Sequence, residues 1–301
     1  MLYIVITSYN EPKATNRAIR SFLDQKIKES FKIIVVDPFP EVETYLKKHV
    51  KNKKIEFFLD PGEGKTTALN MLLETIHSKS DNDLVFFTDG DVFVGKNSVA
   101  EILKFFKDKK VGCVTGKPIT IDSRTKKYGY WSKLLYDGID GVRKKLDRQG
   151  KFFQCSGYLF AIRNNVLKEI PLDVPEDAYI PYIFWKEGYK IRYADKAEVY
   201  VKYPDNWKDW LAQRIRTIKA HENIPLVAPD MPRTKSFLNE IKEGAFFTLC
   251  YPKNPIELIW TTEFVLARIL IYLKSFFELK KKDAFNPAWR DTEIKSTKPL
   301  D

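Results

Sequence analysis

The sequence predicts an α/β fold in which helices flank a mostly parallel, Rossmann-like sheet. Short apolar runs alternate with segments of helical periodicity through residues 2–107, which is typical of consecutive βαβ units. Right-handed crossovers bring the carboxyl ends of parallel strands to one edge, which is therefore expected to carry residues 7–11, Asp37, residues 60–62 and residues 89–91. With 301 residues, of which 44% are hydrophobic, the chain can build one large domain or two small ones.

The elements follow from the spacing of apolar residues. Strands are predicted from short apolar runs at residues 2–7, 32–36, 55–59, 84–88, 158–162 and 197–201. Helices are predicted from apolar positions at helical spacing, at residues 13–24, 41–50, 66–77, 97–107, 178–187 and 207–220. Polar residues at helix starts predict that Asn97 caps the fourth helix and Asp205 the sixth.

Composition limits the partners and the compartment. A net charge of +11 favours anionic partners such as nucleotide diphosphates, nucleic acid or an anionic membrane, and a lysine-rich surface without a specific partner is the alternative. Cys113, Cys155 and Cys250 lack zinc-ligand spacing and disfavour a disulfide framework, so a reducing, cytoplasmic setting is expected. The amino terminus is interpreted as a first strand rather than a signal peptide.

Asp89 and Asp91 stand one residue apart directly after the apolar run at residues 84–88. Ligands of open α/β sheets bind just beyond the carboxyl ends of strands. Two carboxylates there repel each other unless a cation lies between them, and their oxygens suit Mg²⁺ or Mn²⁺, which also bind phosphate. The pair predicts a metal site for a diphosphate substrate, with an ordinary acidic turn as the alternative.

Lys65 follows Gly64 in a segment that resembles the end of a phosphate-binding P-loop. A full P-loop needs a glycine five residues before Gly64, and that position is Leu59. The P-loop ATPase class is therefore disfavoured. Lys65 remains a candidate to contact a phosphate or a nucleobase, because a helix start does not otherwise favour a lysine.

Glu176 and Asp177 stand at the predicted start of a helix. Carboxylates there are ordinary capping residues. The functional interpretation is a general base, since attack by an alcohol on a sugar carbon requires removal of a proton.

Residues 213–216 read Gln-Arg-Ile-Arg on a later helix, where helical spacing puts Gln213 and Arg216 on one face and Arg214 and His221 on another. Guanidinium groups bind diphosphates well, although a solvated basic face is the alternative. His221 is a candidate to complete the metal shell, against a structural role.

Residues 223–232 contain three prolines and are interpreted as a linker, after which residues 245–251 and 256–277 are apolar. Charged residues within the second stretch argue against a membrane-spanning helix. With the basic residues 280–282, it favours an interfacial anchor on an anionic leaflet. Packing on the protein itself or on a second subunit is the alternative. We therefore expect a linker and apolar helices over 223–283 and a tail over 284–301.

These motifs, in this order, resemble GT-A-fold inverting glycosyltransferases of family 2. Residues 89–91 resemble the DXD motif and residues 176–177 the ED motif. Residues 213–217 resemble the QXXRW motif of the branch that contains cellulose, chitin and mannan synthases. Residues 7–11 and 64–70 are similar to the family's first strand–loop and to its G-K-x-x-A-x-N segment.

The resemblance implies metal-dependent, inverting transfer from a UDP- or GDP-sugar to a lipid-linked or saccharide acceptor, with Mn²⁺ or Mg²⁺ on Asp89 and Asp91. The catalytic domain would span 1–222, with a nucleotide-sugar half over 1–115 and an acceptor half over 116–222. Asp177, beside Glu176, would be the catalytic base. The acceptor would border Ser156 and Gly157. Asp37 would read the nucleobase, and the donor would contact Thr7, Tyr9, Glu11, Asp37, Lys65, Asp89, Gly90, Gln213, Arg214 and Arg216.

Two departures refine this expectation. Thr217 stands where QXXRW ends in tryptophan, and the multi-span channel of the synthases has no counterpart in these residues. Both favour single addition by a peripheral enzyme at the cytoplasmic face of the cell membrane. One alternative is a sugar-nucleotide pyrophosphorylase, but such enzymes have a glycine-rich first loop, and residues 7–11 contain no glycine. The other is a non-catalytic basic protein that binds membranes or polyanions.

Overall fold

The computed structural model describes residues 1–78, 80, 82–172, 174–232, 237–280 and 297, except for the side chains of 237–240 and 275–280. Its strands are β1 Leu2–Thr7, β2 Phe31–Asp37, β3 Ile55–Leu59, β4 Leu84–Asp89, β5 Phe93–Val94, β6 Val111–Thr120, β7 Phe160–Arg163 and β8 Lys190–Val201. Its helices are α1 Pro12–Leu23, α2 Pro40–His49, α3 Lys65–Ile76, α4 Ser98–Phe105, α5 Lys127–Arg148, α6 Glu176–Lys186, α7 Trp207–Glu222, α8 Ile224–Val227, α9 Phe237–Cys250 and α10 Pro255–Lys280.

These strands form one sheet in the order β3-β2-β1-β4-β7-β6-β8-β5. The first four strands along this order pair in parallel, which confirms the predicted βαβ arrangement. The other half is mixed, because β7 is antiparallel to β4 and β6, and β5 is antiparallel to β8. Buried apolar side chains on both faces of the sheet form two core clusters under the helices.

The direction of β7 matters for the site. Its first residue, Phe160, pairs with Phe87 near the end of β4. The loop that precedes β7 therefore lies at the edge where the parallel strands end. This loop carries Ser156 and Gly157.

Two long elements, β6 and α5, were not predicted. Gly112 and Gly116 interrupt the apolar run of β6, and glycine weakens a strand prediction. The sheet requires them: a Cβ on Gly112 would lie 2.5 Å from the Phe184 ring, and one on Gly116 would lie 2.7 Å from the Ala197 carbonyl oxygen. The β6–β8 register also shifts around both glycines.

Two predicted helix caps differ from the structure. Asn97 occupies the cap of α4 with φ of 65°, and its side chain makes no capping hydrogen bond. Asn206 rather than Asp205 caps α7, because the Asn206 Oδ1 accepts a 2.9 Å hydrogen bond from the amide of Asp209. The side chain of Asn206, one residue after Asp205, is the one that reaches the Asp209 amide.

The carboxy-terminal helices pack on α5 and α7 through a cluster that includes Trp131, Trp210 and Phe264. The predicted linker contains the short helix α8, and the two apolar stretches lie in α9 and α10. None of the helices in the described residues is long and apolar enough to cross a membrane. Lys281, Lys282 and the predicted tail lie outside the described residues, apart from Thr297.

Candidate active site

The sheet topology brings the ends of four strands to one edge. Thr7 ends β1 opposite Asp89 at the end of β4. Asp37 ends β2, and Asp60 follows the last residue of β3. The convergence predicted from the sequence, which includes Asp60, is therefore present.

Lys65 joins three elements at the centre of this edge. Its Nζ lies 2.8 Å from Asp89 Oδ1 and 2.5 Å from Glu176 Oε1. Thr7 Oγ1 donates to the same Asp89 oxygen at 3.1 Å. Burial alone would lower the pKa of Lys65, but the charges of Asp89 and Glu176 outweigh it and raise the pKa above its ordinary value. The lysine therefore stays charged at the place where a diphosphate is expected.

Asp177 lies against the loop that precedes β7. Its main-chain oxygen accepts a 2.9 Å hydrogen bond from the amide of Cys155. A Cβ on Gly157 would lie 3.8 Å from Asp177 Oδ2. The preceding residue of this loop, Ser156, is buried, and its backbone amide donates a 2.9 Å hydrogen bond to Thr115 Oγ1. The predicted base and the predicted acceptor loop are thus neighbours.

Asp37 occupies the other end of the edge. It is fully buried, and its carboxylate accepts hydrogen bonds from the amides of Asn10 at 3.0 Å and Phe39 at 2.9 Å. Burial raises the pKa of the Asp37 carboxyl despite these hydrogen bonds. The rings of Tyr9 and Phe39 pack edge to face, with their centres 5.1 Å apart. An aromatic pair beside a buried carboxylate suits a flat heterocycle with an N–H group.

Asp60, which the sequence places on this edge without giving it a role, adjoins this end. It is 4% exposed, and its Oδ1 accepts a 2.8 Å hydrogen bond from the Gly62 amide. Its Oδ2 is buried and has no hydrogen-bond partner among the described residues. Burial raises the pKa of the Asp60 carboxyl, and the nearby charge of Asp37 adds to the effect. Its position directly after β3 places it on the edge, but no motif assigns it a role.

The DXD segment is held closely against β1 and α1. The Gly90 amide donates to the Thr7 carbonyl at 2.7 Å, and a Cβ on Gly90 would lie 2.9 Å from Thr15 Oγ1. Glu11, the cap residue of α1, is buried and its carbonyl binds the Thr15 hydroxyl. Gly90 therefore fixes the direction in which the flanking aspartates leave the strand.

The carboxylates of this segment fit a divalent cation only in part. Within the described residues, no group of three or more His, Cys, Asp or Glu side chains can hold a metal. Asp89 and Asp91 supply the hard oxygen ligands that Mg²⁺ or Mn²⁺ prefers. A cation of this kind commonly takes one or two protein carboxylates and completes its shell with phosphate oxygens and water. The donor set fits a metal that arrives with a diphosphate.

His221 does not join the aspartates in such a group. Its Nδ1 lies 2.7 Å from the Thr217 carbonyl oxygen and its Nε2 lies 3.0 Å from Gln154 Oε1. Both ring nitrogens are thus engaged within α7 and by the loop before β7. In place of the predicted metal contact, the structure gives His221 a contact that orients the acceptor loop.

The predicted basic face of α7 is divided. Gln213 is buried and accepts a 2.9 Å hydrogen bond from Arg214 Nη2, whereas Arg216 is exposed. The spacing of Gln213 and Arg216 within helix α7 agrees with the predicted shared face, but of the two only Gln213 is buried. The Arg214 guanidinium lies over the Tyr203 ring, 5.2 Å from its centre.

Tyr158, also missed from the sequence, connects Arg214 with the strand edge. Its carbonyl accepts a 2.7 Å hydrogen bond from Thr88 Oγ1. Burial is the main cause that raises the pKa of Tyr158 to about 12, and the charges of Arg214 and Asp91 act on it in opposite directions. The DXD segment, the acceptor loop and α7 therefore meet around this ring.

A transferase that uses a nucleotide-activated sugar needs a base pocket, a diphosphate site and a proton acceptor along one cleft. Their order on this sheet places the protein in the class of GT-A-fold glycosyltransferases. The model of the family described as glycosyl transferase family 2 matches residues 3–171, more than half of the chain. The chain belongs to this family of glycosyltransferases.

Two curated proteins are similar to it. An N-acetylglucosaminyltransferase of Rhizobium meliloti (strain 1021) is 23% identical over 236 residues, which cover 71% of this chain and 54% of the relative. An N-acetylglucosaminyltransferase of Azorhizobium caulinodans is 21% identical over 235 residues, which cover 71% and 57%. The chain thus spans about half the length of the curated relatives it matches.

A crystal structure of GalNAc-T7 with UDP, GalNAc and Mn²⁺ is similar at a TM-score of 0.47 and 17% identity, covering 66% of this chain and 42% of the other.

Proposed function

We propose that the protein catalyses metal-dependent, inverting transfer of a sugar from a UDP- or GDP-sugar to an acceptor hydroxyl. The observation that carries the proposal is the position of Asp177 beside Gly157, on the same edge as the Lys65–Asp89 pair. A proton acceptor and a diphosphate site on one edge are what displacement at an anomeric carbon requires.

Each group has a role that follows from its chemistry. Asp177 removes the proton of the acceptor hydroxyl as it attacks, from the side opposite the leaving diphosphate, which inverts the anomeric centre. Lys65 and Arg214 stabilise negative charge on the nucleoside diphosphate as the bond breaks. A divalent cation held by Asp89 and Asp91 would add Lewis-acid stabilisation of the same charge. Asp37 accepts a hydrogen bond from the nucleobase.

The acceptor is proposed to be lipid-linked or saccharide, added singly at the cytoplasmic face of the cell membrane. Thr217 in place of the tryptophan of QXXRW supports single addition. The relatives are named N-acetylglucosaminyltransferases, so UDP-N-acetylglucosamine is the first donor to test. Neither a pyrophosphorylase nor a non-catalytic basic protein is favoured by membership of a transferase family.

The test is thermal-shift binding of UDP, GDP, UDP-N-acetylglucosamine, other UDP-sugars and GDP-mannose, each with Mn²⁺ and with EDTA. A rise in melting temperature for one nucleotide that is lost with EDTA supports the metal–diphosphate site and identifies the donor base. Melting temperatures unchanged by every nucleotide would overturn the proposal. The variant Asp89→Asn should lose the metal-dependent part of the shift.

A further inference from the structure

Helix α10 has one face that is firmly attached to the enzyme body. Glu257, Thr261, Phe264, Ala267 and Ile271 are buried at helical spacing along this face. They pack toward α5 and α7, and two polar contacts hold the beginning of the helix, between Arg124 and Glu257 at 2.8 Å and between Tyr130 and Thr261 at 2.6 Å. The orientation of α10 about its own axis is therefore fixed.

The opposite face of α10 is apolar and exposed. It runs from Ile256 to Leu273, which is about 27 Å at the usual rise per residue. Leu266 is 61% exposed on it, and on neighbouring α9 Phe246 is 82% exposed. The apolar face, as we call this surface, consists of Phe246, Leu249, Ile256, Leu258, Ile259, Val265, Leu266, Ile269, Leu270 and Leu273. Soluble monomers rarely expose a continuous patch of this kind to water.

The charges around the apolar face are distributed unevenly. Each carboxylate in the described side chains of α9 and α10 pairs with a cation of α5 or of the loop before it. The pairs are Glu243 with Lys145 at 2.6 Å, Glu257 with Arg124 at 2.8 Å and Glu263 with Lys127 at 3.2 Å.

Exposed lysines complete the pattern at the ends of the two helices, at residues 242, 253 and 274. The sequence continues with lysines at 280–282, of which 281 and 282 lie outside the described residues. An apolar strip that has exposed lysines near the helix ends, and carboxylates paired with cations of the enzyme body, is complementary to anionic headgroups above acyl chains.

We propose that the apolar face docks on an anionic lipid bilayer, with α10 lying parallel to the membrane plane. The helix would insert its leucines and isoleucines to the depth of the acyl boundary while its buried face stays on the enzyme. Because α10 packs on α7, which carries Gln213 and Arg214, the bilayer would lie beside the active site. The accompanying inference, that the acceptor is a lipid-linked hydroxyl compound, rests on the proposed function; the docking itself does not.

The test uses the full chain and vesicle co-sedimentation. The vesicles are pure phosphatidylcholine, or phosphatidylcholine with about 30% phosphatidylglycerol. We expect binding to the anionic vesicles and weak binding to the neutral ones. The double variant Leu266→Ser/Leu270→Ser, which changes exposed residues without changing charge, should reduce binding about tenfold or more. The control Met71→Ser alters an exposed apolar residue of α3 and should bind normally.

Two results would overturn docking on a bilayer. One is equal sedimentation of the wild type and the double variant. The other is a wild-type protein that binds neither vesicle type and is a stable dimer by light scattering, while the double variant is monomeric. A second copy of the chain would then cover the apolar face. The nucleotide thermal shift, measured on the same samples, separates the two proposals. Vesicle binding without any nucleotide shift would reject the proposed function and leave the docking surface in place.

Discussion

The carboxylates at the sheet edge fall into two groups. Asp89 and Glu176 share one cation, Lys65, at 2.8 Å and 2.5 Å. Asp37 and Asp60 are buried more deeply and bind backbone amides instead of a cation. Asp177 is grouped with Asp37 and Asp60 because it also has no cation partner. Its carboxylate makes no hydrogen bond or ion pair within the described residues.

This difference distinguishes carboxylates that stabilise the arrangement of the site from carboxylates that are available to bind a ligand. Asp89 and Glu176 gain their stabilisation from Lys65 within the protein itself. Asp37, Asp60 and Asp177 keep acceptor capacity that a nucleobase N–H or an acceptor hydroxyl can use. A buried carboxylate with spare capacity costs folding free energy until a donor arrives. The comparison therefore predicts opposite consequences for substitutions in the two groups.

The largest effect is expected for Asp177→Asn. Removing a general base commonly lowers turnover by 10²–10⁴-fold, and we expect kcat to fall about 10³-fold with nucleotide binding unchanged. Turnover is measured by release of nucleoside diphosphate, and binding by the thermal shift. Near-normal kcat in this variant would mean that another residue is the base and that Asp177 does not contact the acceptor.

Replacing the shared cation, Lys65→Gln, should weaken donor binding by about 10–100-fold, as loss of a charge-assisted hydrogen bond does. It should also lower the melting temperature at neutral pH, because Asp89 and Glu176 then face each other without a cation. Calorimetric titration with the preferred nucleotide and melting scans between pH 4 and 8 measure the two effects.

Lys65→Arg is the control for this prediction, since it keeps the charge and should restore most of the stability. The folded-state pKa of Lys65 is raised, so its stabilising contribution is complete below the unfolded pKa and is lost only as the pH rises through the folded value. Neutral conditions therefore test the intact pair. A Lys65→Gln variant as stable as the wild type at every pH would contradict the ion-pair interpretation.

Sequence periodicity was sufficient for the first half of the fold. The strands at residues 2–7 and 55–59 were predicted to the residue, and those at 32–36 and 84–88 were within one residue, since each is a short apolar run between turn residues. It was insufficient for β6 and α5, whose glycines serve close packing that only the folded chain reveals. The division at residue 222 stays a prediction.

The candidate site was predictable to a similar degree. Local motifs identified Asp37, Lys65, Asp89 and Asp177, because each follows a strand or begins a helix. They placed Asp60 on the edge without a role and missed Tyr158, which belongs to no motif and acquires its position through the sheet. They also misplaced His221, because its partner Gln154 is 67 residues away in the sequence. Contacts of that separation have no local signature.

A smaller effect is expected for Glu176→Gln, which sharpens the distinction between two adjacent residues. Glutamine keeps an acceptor for Lys65 but loses the charge, so kcat/KM should fall about tenfold or less. Steady-state kinetics beside Asp177→Asn provides the measurement. Loss of activity as severe as that of Asp177→Asn would mean that Glu176 touches the reacting atoms and that the two groups are not distinct.

The smallest effect, of opposite sign, is expected for Asp60→Asn. The pKa of Asp60 is raised in the folded protein, mainly by burial. The folded state therefore binds this proton more tightly than the unfolded state. Stability is then greatest below the unfolded pKa and falls as the pH rises through the folded pKa. Asparagine removes this penalty and keeps an oxygen for the Gly62 amide, so the melting temperature at pH 7 should rise by about 2 °C.

The gain from Asp60→Asn should shrink as the pH falls from 7, because burial raises the pKa of the Asp60 carboxyl and the wild-type group becomes neutral. Melting scans from pH 7 downward measure this change. Asp108→Asn is the control, because Asp108 forms an exposed ion pair with Lys190 and its pKa is lowered, first by the Lys110 amide. That variant should be no more stable than the wild type at pH 7. If Asp60→Asn instead lowers the melting temperature at pH 7, the Asp60 carboxylate is already satisfied within the protein. It would then belong with Asp89 and Glu176 among the groups that organise the site.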